Sequence, residues 1–214
     1  MDALISVIMP AYNVGKYISA AIRSTLNQTY LNFELIIIND GSSDNTLDIA
    51  LSYQDSRIYI MNNSKNLGIV KSLNKAINVS KGKYIARTDA DDINMPKRFQ
   101  AQVEFLESHP KVDAVGTNKY IFNDNGDIIG EFTRPPSHYE LISYLPHRAP
   151  LFPACIMAKA EWFRYYRYRH EYYRSEDRDL FLRSYNYSQF ANIPQTLYAY
   201  RDPGIPNLRK LFLT

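Results

Sequence analysis

One cysteine is all that the 214 residues contain. That excludes a disulfide framework and a cysteine-based zinc site. Cys155 lies in the apolar run Ala154-Cys155-Ile156-Met157-Ala158. Its expected role is buried packing rather than nucleophilic attack, and a reducing compartment suits it. Long hydrophobic runs are also missing. No stretch reaches the roughly 18 apolar residues of a membrane helix. Asp2 precedes a short strand-like run, not the basic-then-apolar pattern of a leader. The expectation is a cytoplasmic, soluble chain with no transmembrane segment, free to sit at the periphery of a membrane. Neither sign of charge dominates, since 25 basic residues stand against 22 acidic ones, a net charge of +3. A polycation built for nucleic acid is excluded, and no nucleic-acid partner is expected. The four histidines show no metal-ligand pairing, so surface positions are their default.

Two phosphate-binding signatures are absent as well. No GxGxxG follows the first strand-like run, and no GxxxxGK[ST] occurs anywhere, so dinucleotide and P-loop sites are excluded. Asp89-Ala90-Asp91 opens like a calcium loop. Its sixth position is Asn94 rather than Gly and its twelfth is Gln100 rather than Glu, so that reading fails.

What is present is a regular alternation. Apolar runs at 4–9, 33–38, 57–61 and 83–87 predict strands, and periodic segments at 15–27, 43–52, 69–79 and 96–108 predict helices. The run 33–38 is continuously apolar at its end, as a strand of a parallel sheet should be. Gly41-Ser42-Ser43-Asp44 offers capping chemistry for the second helix. This β-α-β-α-β-α-β order predicts a doubly wound α/β sheet. The pattern changes after residue 110. Residues 112–122 read as a strand, Asn123-Asp124-Asn125-Gly126 as a hairpin turn, and 128–132 as an antiparallel return. Helical patches are expected at 137–145, 159–168 and 176–186. The chain is read as one domain over 1–214, with the end at Leu211-Phe212-Leu213-Thr214 leaving open that it opens a longer protein.

Ligands of doubly wound sheets bind at the C-terminal ends of the strands. Each predicted strand end is polar here. They carry Pro10-Ala11-Tyr12-Asn13, then Asn39-Asp40-Gly41, then Asn62 to Gly68, then Thr88-Asp89-Ala90-Asp91-Asp92. An aromatic ring and an amide after the first strand suit a flat polar ligand, although from these residues alone a helix cap at Asn13 with Tyr12 packed on a neighbour is the favoured reading. Two carboxylates at i and i+2 suit a hard divalent cation that also holds substrate phosphates. Capping the next helix accounts for one such acid, but three clustered acids repel unless a cation offsets them.

Taken in order, SVIMPAYN, ELIIINDGSSDNT, NLG, KGKYIARTDADD and SEDRDLFLR resemble the family-2 glycosyltransferases of the GT-A fold. The likeness is close over 4–110 and looser over 111–200. It implies a Rossmann-like, mostly parallel central sheet flanked by helices, with an antiparallel extension in the second half. Residues 1–110 would form the nucleotide-sugar half and 111–214 the acceptor half. It also implies inverting transfer of a hexose or deoxyhexose from a UDP- or dTDP-sugar, aided by Mn²⁺ or Mg²⁺, to a glycan, lipid-linked or protein-glycan acceptor. By position, Tyr12 resembles the ring that stacks on the base, within a pocket of Pro10, Ala11 and Asn13. Asp40 resembles the carboxylate that accepts the base imide N–H. Asn66, Gly68 and Lys71 fall near ribose and phosphate. Asp89 and Ala90 fall by the ribose, Asp91 with Asp89 at the metal, and Asp92 matches the next acid. Asp177 resembles the catalytic base, with Glu176 its nearest rival. Where relatives often carry a His after Tyr-Arg, this chain has Tyr200-Arg201-Asp202-Pro203-Gly204, so any phosphate contact there is left to Arg201 or to a segment beyond residue 214.

The stretch 162–174 interleaves aromatic and basic residues. Its readings are a structural helix with snorkelling arginines, an acceptor surface including Trp162, or a nucleic-acid surface, in that order. Two other functions remain in view. A sugar-phosphate nucleotidyltransferase would want a Gly- and Arg-rich first loop, which MPAYNVGKY lacks. A non-catalytic binding module is opposed by the presence of Asp40, Asp91 and Asp177 together.

Overall fold

The computed structural model describes residues 2–172 and 174–202. The expectations at Tyr173 and at 203–214, Pro203-Gly204 included, lie outside the described residues. The strands are β1 (Ile5–Ala11), β2 (Phe33–Asn39), β3 (Ile58–Asn62), β4 (Tyr84–Arg87), β5 (Ile93–Asn94), β6 (Ala114–Phe122), β7 (Ile128–Phe132), β8 (Met157–Lys159) and β9 (Phe190–Arg201). The helices are α1 (Ile18–Leu26), α2 (Thr46–Leu51), α3 (Ile69–Val79), α4 (Arg98–Ser108), α5 (His138–Ile142), α6 (Ala160–Tyr166) and α7 (Glu176–Ser184).

One sheet runs in the order β3-β2-β1-β4-β8-β6-β9-β5, with β7 paired to β6. Its first four strands are parallel. β8 lies antiparallel between β4 and β6, and β9 runs parallel to β6. The fold is thus the α/β, mostly parallel sheet with an antiparallel extension that the sequence predicts.

Side chains alternate across the pleat, and β1 and β2 are covered on both faces. Val7, Met9, Leu35 and Ile37 face Ile22, Phe99 and Val103 of α1 and α4. Ile8, Ile36 and Ile38 face Leu73, Ile77 and Phe163 of α3 and α6. This two-sided burial is why these strands are continuously apolar.

The differences from the sequence reading have local causes. α1 starts at Ile18 and α2 at Thr46, later than expected, because residues 13–15 and 42–46 bond to one another instead of turning into helix. Asn45, not a residue of 41–44, is the N-cap of α2, and its side chain makes no cap bond. Pro96 precedes α4 rather than opening it. Three strands carry too little pattern to read. β5 has two residues and β8 three, and β9 is interrupted by Pro194. The ladder to β6 shifts register beside that proline, and the Asn118 amide donates to the Pro194 carbonyl at 2.9 Å. Cys155 is buried as expected, its thiol donating to the carbonyls of Thr117 and Phe152. His138 departs from the surface default. It is half-buried, its Nδ1 accepts the Phe190 N–H at 3.1 Å, and burial lowers its pKa.

Gly82 ties β4 to the start of β1. Its N–H donates to the Ser6 hydroxyl at 2.8 Å, which donates to Glu34 at 2.6 Å. A Cβ on Gly82 would meet the Ser6 nitrogen at 2.6 Å, the Tyr84 carbonyl at 2.7 Å and the Leu4 carbonyl at 2.8 Å. All three are backbone atoms of paired strands. Gly82→Ala is therefore expected to cost about 1–3 kcal/mol, lowering Tm by roughly 5 °C. Thermal unfolding followed by circular dichroism checks this, and an unchanged Tm would show that the turn yields freely.

Candidate active site

The loops after β1 and β2 are stitched together by short polar side chains. Asn13 takes φ +52°, a left-handed conformation that Asn tolerates. Its Oδ1 accepts the Ser43 N–H at 2.8 Å, and its own N–H donates to the Ser42 hydroxyl at 3.0 Å. Asp44 accepts from the Thr46 hydroxyl and the N–H groups of Thr46 and Gly15, all within 3.0 Å. Those donors, the Thr46 hydroxyl first, hold its carboxyl below the usual carboxylate range. The turn thus fixed presents the Tyr12 ring at 48% exposure, on the rim of a cleft of about 460 Å³.

Asp40 forms the floor of this cleft at 4% exposure. Its Oδ1 accepts from the Leu67 N–H at 2.9 Å and the Asn63 amide at 2.8 Å, and its Oδ2 accepts from the Gly68 N–H at 2.9 Å. One carboxylate therefore orders the loop that follows β3. The adjoining Gly41 has φ +70°, and a Cβ there would stand 2.4 Å from the Lys65 carbonyl carbon. Asn66 and Gly68 line the cleft, together with Ser72 and Ile69 of α3.

The β4 loop closes the cleft with Asp89, Ala90 and Asp91. The Tyr198 hydroxyl accepts the Asp89 N–H at 3.1 Å, so β9 reaches under the acidic loop. Asp92 is fully buried. Its Oδ1 accepts the Arg201 N–H at 2.8 Å, and its Oδ2 has no partner among the described residues. Burial, then the charges of Asp89 and Asp91, push its carboxyl well above the usual range. Asp92 is thus a structural anchor of the loop. Asp91 is also raised, first by burial and then by Asp89. That repulsion is what a divalent cation between Asp91 and Asp89 would relieve. Two carboxylates facing an open cleft match the few protein ligands that Mg²⁺ or Mn²⁺ takes beside substrate phosphates. Among the described residues no cluster of three or more His, Cys, Asp or Glu exists to form a closed all-protein site. The residues fit a shared metal rather than a resident one.

Asp177 stands in the first turn of α7. Its Oδ1 accepts from Arg87 Nη1 at 2.7 Å, and Arg87 Nε lies 3.3 Å from Asp89. Arg87 is only 4% exposed. Burial raises the Asp177 pKa, and the Arg87 charge opposes that rise. Tyr168 lies beside this pair, and burial, followed by the Asp177 charge, keeps its phenol protonated. Asp177 faces a second cavity of about 260 Å³. Asp89 lines both spaces, so the two cavities meet at the acidic loop. Glu176 lines the first cavity instead, and burial raises its pKa.

The structure thus gathers Pro10, Ala11, Tyr12, Asp40, Asn66, Gly68, Asp89, Ala90, Asp91 and Glu176 around one cleft. Besides Asp177 in the second cavity, four expected residues stand elsewhere. Asn13 ties two loops together and does not line the cleft. Lys71 lies on the exposed face of α3. Trp162 is 4% exposed, packs on Phe163, Phe181 and Phe190, and donates Nε1–H to Ser188 at 3.0 Å. It is a core residue and cannot offer a sugar-binding face. Arg201 clamps the loop rather than a ligand. Its Nε donates to the Asp91 carbonyl at 2.9 Å and its Nη1 pairs with Asp124 at 3.2 Å. Within 162–174, Arg164 and Arg167 behave structurally, donating to the Ser80 and Asn74 carbonyls of the α3 C-cap and α3, whereas Arg174 lines the cleft. Arg87 and Tyr198 are the residues that sequence reasoning missed. An arginine ending an apolar strand just before three acids was the available signal for Arg87. Tyr198 gave none, because its role depends on where β9 lies.

Residues 6–189 match the family described as Glycosyl transferase family 2. An uncharacterized glycosyltransferase of Methanocaldococcus jannaschii is 34% identical over 211 residues, which cover 95% of this chain and 72% of that protein. The UDP-Glc:alpha-D-GlcNAc-diphosphoundecaprenol beta-1,3-glucosyltransferase WfgD of Escherichia coli is 38% identical over 134 residues, covering 63% of this chain and 52% of that protein. The fold is shared with S. aureus TarS 1-349, solved in complex with UDP-GlcNAc, at 20% identity and a TM-score of 0.76 over 92% of this chain and 58% of that one. With the match spanning most of its length, this chain belongs to glycosyl transferase family 2.

Proposed function

We propose that the chain transfers a hexose or deoxyhexose from a UDP- or dTDP-sugar to a hydroxyl of a glycan or glycoconjugate, with inversion at the anomeric carbon. The observation that carries this reading is the junction at Asp89. A cleft with an aromatic rim and a carboxylate floor meets, at the acidic loop, a second cavity into which the part-buried Asp177 carboxylate faces. The first space suits a nucleoside diphosphate, the second an acceptor.

In this reading Tyr12 stacks on the base. Asp40 Oδ2, which takes only the Gly68 N–H, has a lone pair left for the imide N–H of uracil or thymine. Asn66 and Gly68 border the ribose. Asp91 and Asp89 would hold a Mn²⁺ or Mg²⁺ ion, whose charge offsets that of the diphosphate leaving group. Asp177 is the general base. Its Oδ1 is occupied by Arg87, so Oδ2 takes the proton of the acceptor hydroxyl. The acceptor oxygen then forms its bond to the anomeric carbon as the bond to the diphosphate oxygen breaks. Arg87 fixes the orientation of the carboxylate and keeps it ionised against burial.

Calorimetry should show UDP binding that requires Mn²⁺ and is lost in Asp91→Ala. Binding of GDP but not UDP or dTDP would overturn the role given to Asp40, and binding of none of them would overturn the nucleotide-sugar reading.

Asp177→Asn should lower kcat by about 10²–10⁴-fold, the usual worth of a general base, while UDP binding is kept. Because burial raises the Asp177 pKa and a base must be deprotonated, kcat/KM should fall as pH drops through that raised value. Arg87→Met removes the opposing charge and should move this acidic limb to higher pH. A limb that stays in place in the pH–rate profile would remove Asp177 from the base role.

A further inference from the structure

The cavity that contains Asp177 does not end there. Lys119, Phe152, Pro153 and Tyr200 line it and also line a third cavity, of about 450 Å³, that adds Arg134, Arg148 and Phe132. Together they form one groove leading away from Asp177. Its wall holds three cations from three separate segments. Lys119 comes from β6, Arg134 follows β7, and Arg148 follows α5.

None of the three makes an ion pair among the described residues. The basic residues that do are Lys16, Arg57, Lys83, Arg87, Lys159, Arg183 and Arg201. The Lys119 ammonium rests on aromatic faces alone, 4.0 Å from the Tyr200 ring centre and 4.7 Å from that of Phe152. Arg134 stands 4.2 Å from the centre of the same Phe152 ring and donates Nε–H to the Pro150 carbonyl at 3.0 Å. Arg148 stands 5.7 Å over Tyr144, whose ring Arg134 also covers at 4.6 Å. Burial depresses the pKa of Lys119, and burial followed by the charge of Arg148 depresses that of Arg134. Holding the half-buried Lys119 and Arg134 together, with the exposed Arg148 beside them, costs free energy unless an anion joins them. Asp202 is the carboxylate on this wall among the described residues.

We propose that this groove is the acceptor site and that it selects an acceptor carrying a phosphoryl group, with Lys119, Arg134 and Arg148 binding the phosphate or diphosphate while the sugar hydroxyl reaches Asp177. The proposal rests on the reading of Asp177 as the base. Charge favours a phosphoryl group over a carboxylate. Three cations exceed the single charge of a uronic acid, whereas a diphosphate ester brings two or more charges, and the guanidinium fork matches phosphate oxygens. Phe132 and Tyr200, exposed at 50% and 38%, add apolar faces on which a sugar ring or an attached chain can lie.

The test is calorimetry in EDTA, where the acidic loop has no metal and repels anions. The probes are inorganic pyrophosphate, N-acetylglucosamine 1-phosphate, N-acetylglucosamine and glucuronic acid. Wild type should bind the two phosphate probes and bind glucuronic acid and the neutral sugar at least tenfold more weakly. Lys119→Met and Arg134→Met keep the apolar stems over Phe152, and each should weaken phosphate binding at least tenfold. Arg23→Ala, an exposed cation on α1, should change nothing. Equal phosphate binding by wild type and both Met variants would overturn the proposal, as would equal binding of glucuronate and phosphate. UDP titration in Mn²⁺ provides a separate readout. If Lys119→Met weakens UDP instead, the lysine serves the leaving diphosphate and the acceptor assignment falls. If UDP fails to bind wild type, the nucleotide-sugar reading fails independently of the EDTA result.

Discussion

The active edge of this protein depends on one buried cation. Arg87 sits at 4% exposure between Asp89 and Asp177, residues brought from strand β4 and helix α7. Burying a guanidinium is costly unless it is paired, and leaving either carboxylate behind without it would be costly too. The three groups are therefore only stable together. Their mutual need fixes α7 against the end of β4, and so fixes the distance between the acidic loop and Asp177. A second buried arginine supports the same corner. Arg98 is fully buried and donates to the Arg87 carbonyl at 2.7 Å and the Ile156 carbonyl at 3.2 Å. It thereby joins α4 to the ends of β4 and β8 without an acidic partner among the described residues.

The remainder of the cleft is built by carboxylates that bind backbone rather than cations. Asp40 gathers the N–H groups of Leu67 and Gly68, and Asp44 gathers those of Gly15 and Thr46. Such bonds to a charged acceptor are stronger than neutral ones. They replace helix capping as the way these loops satisfy their donors. The result is a set of strand-end loops held rigid by each other, which is the preorganisation a binding cleft needs. Arg201 adds the last tie by joining the acidic loop to the 123–126 turn, where Asp124 also takes Lys16 and the Tyr17 hydroxyl.

Much of this was legible before folding was considered. The two-sided burial of β1 and β2 shows as continuous apolar runs, and the polar strand ends show as breaks in them. Those signals are local, with periods of two or 3.6 residues, so Tyr12, Asp40, Asp89 and Asp91 could be named at once. The failures share a cause as well. Trp162 carries a ring and a donor that suit either a core or a sugar, and only its contacts with Phe181, Phe190 and Ser188 decide between them. Arg201 was a phosphate candidate by position, yet Asp124, far earlier in the chain, claims its guanidinium.

By itself, then, the sequence determined the alternation of elements, the chemistry at each strand end and the family to which the chain belongs. Those properties rest on residue type and short spacing. Tertiary structure decided which charges are paired. It placed Arg87 between two acids, set Asp92 in the interior as an anchor, and left Lys119, Arg134 and Arg148 along one groove without an ion pair among the described residues. Pairing depends on how β6, β9 and α7 pack across the sheet. Contacts such as that of Arg87 with Asp177 join residues tens of positions apart, so no pattern in a short window of sequence records them.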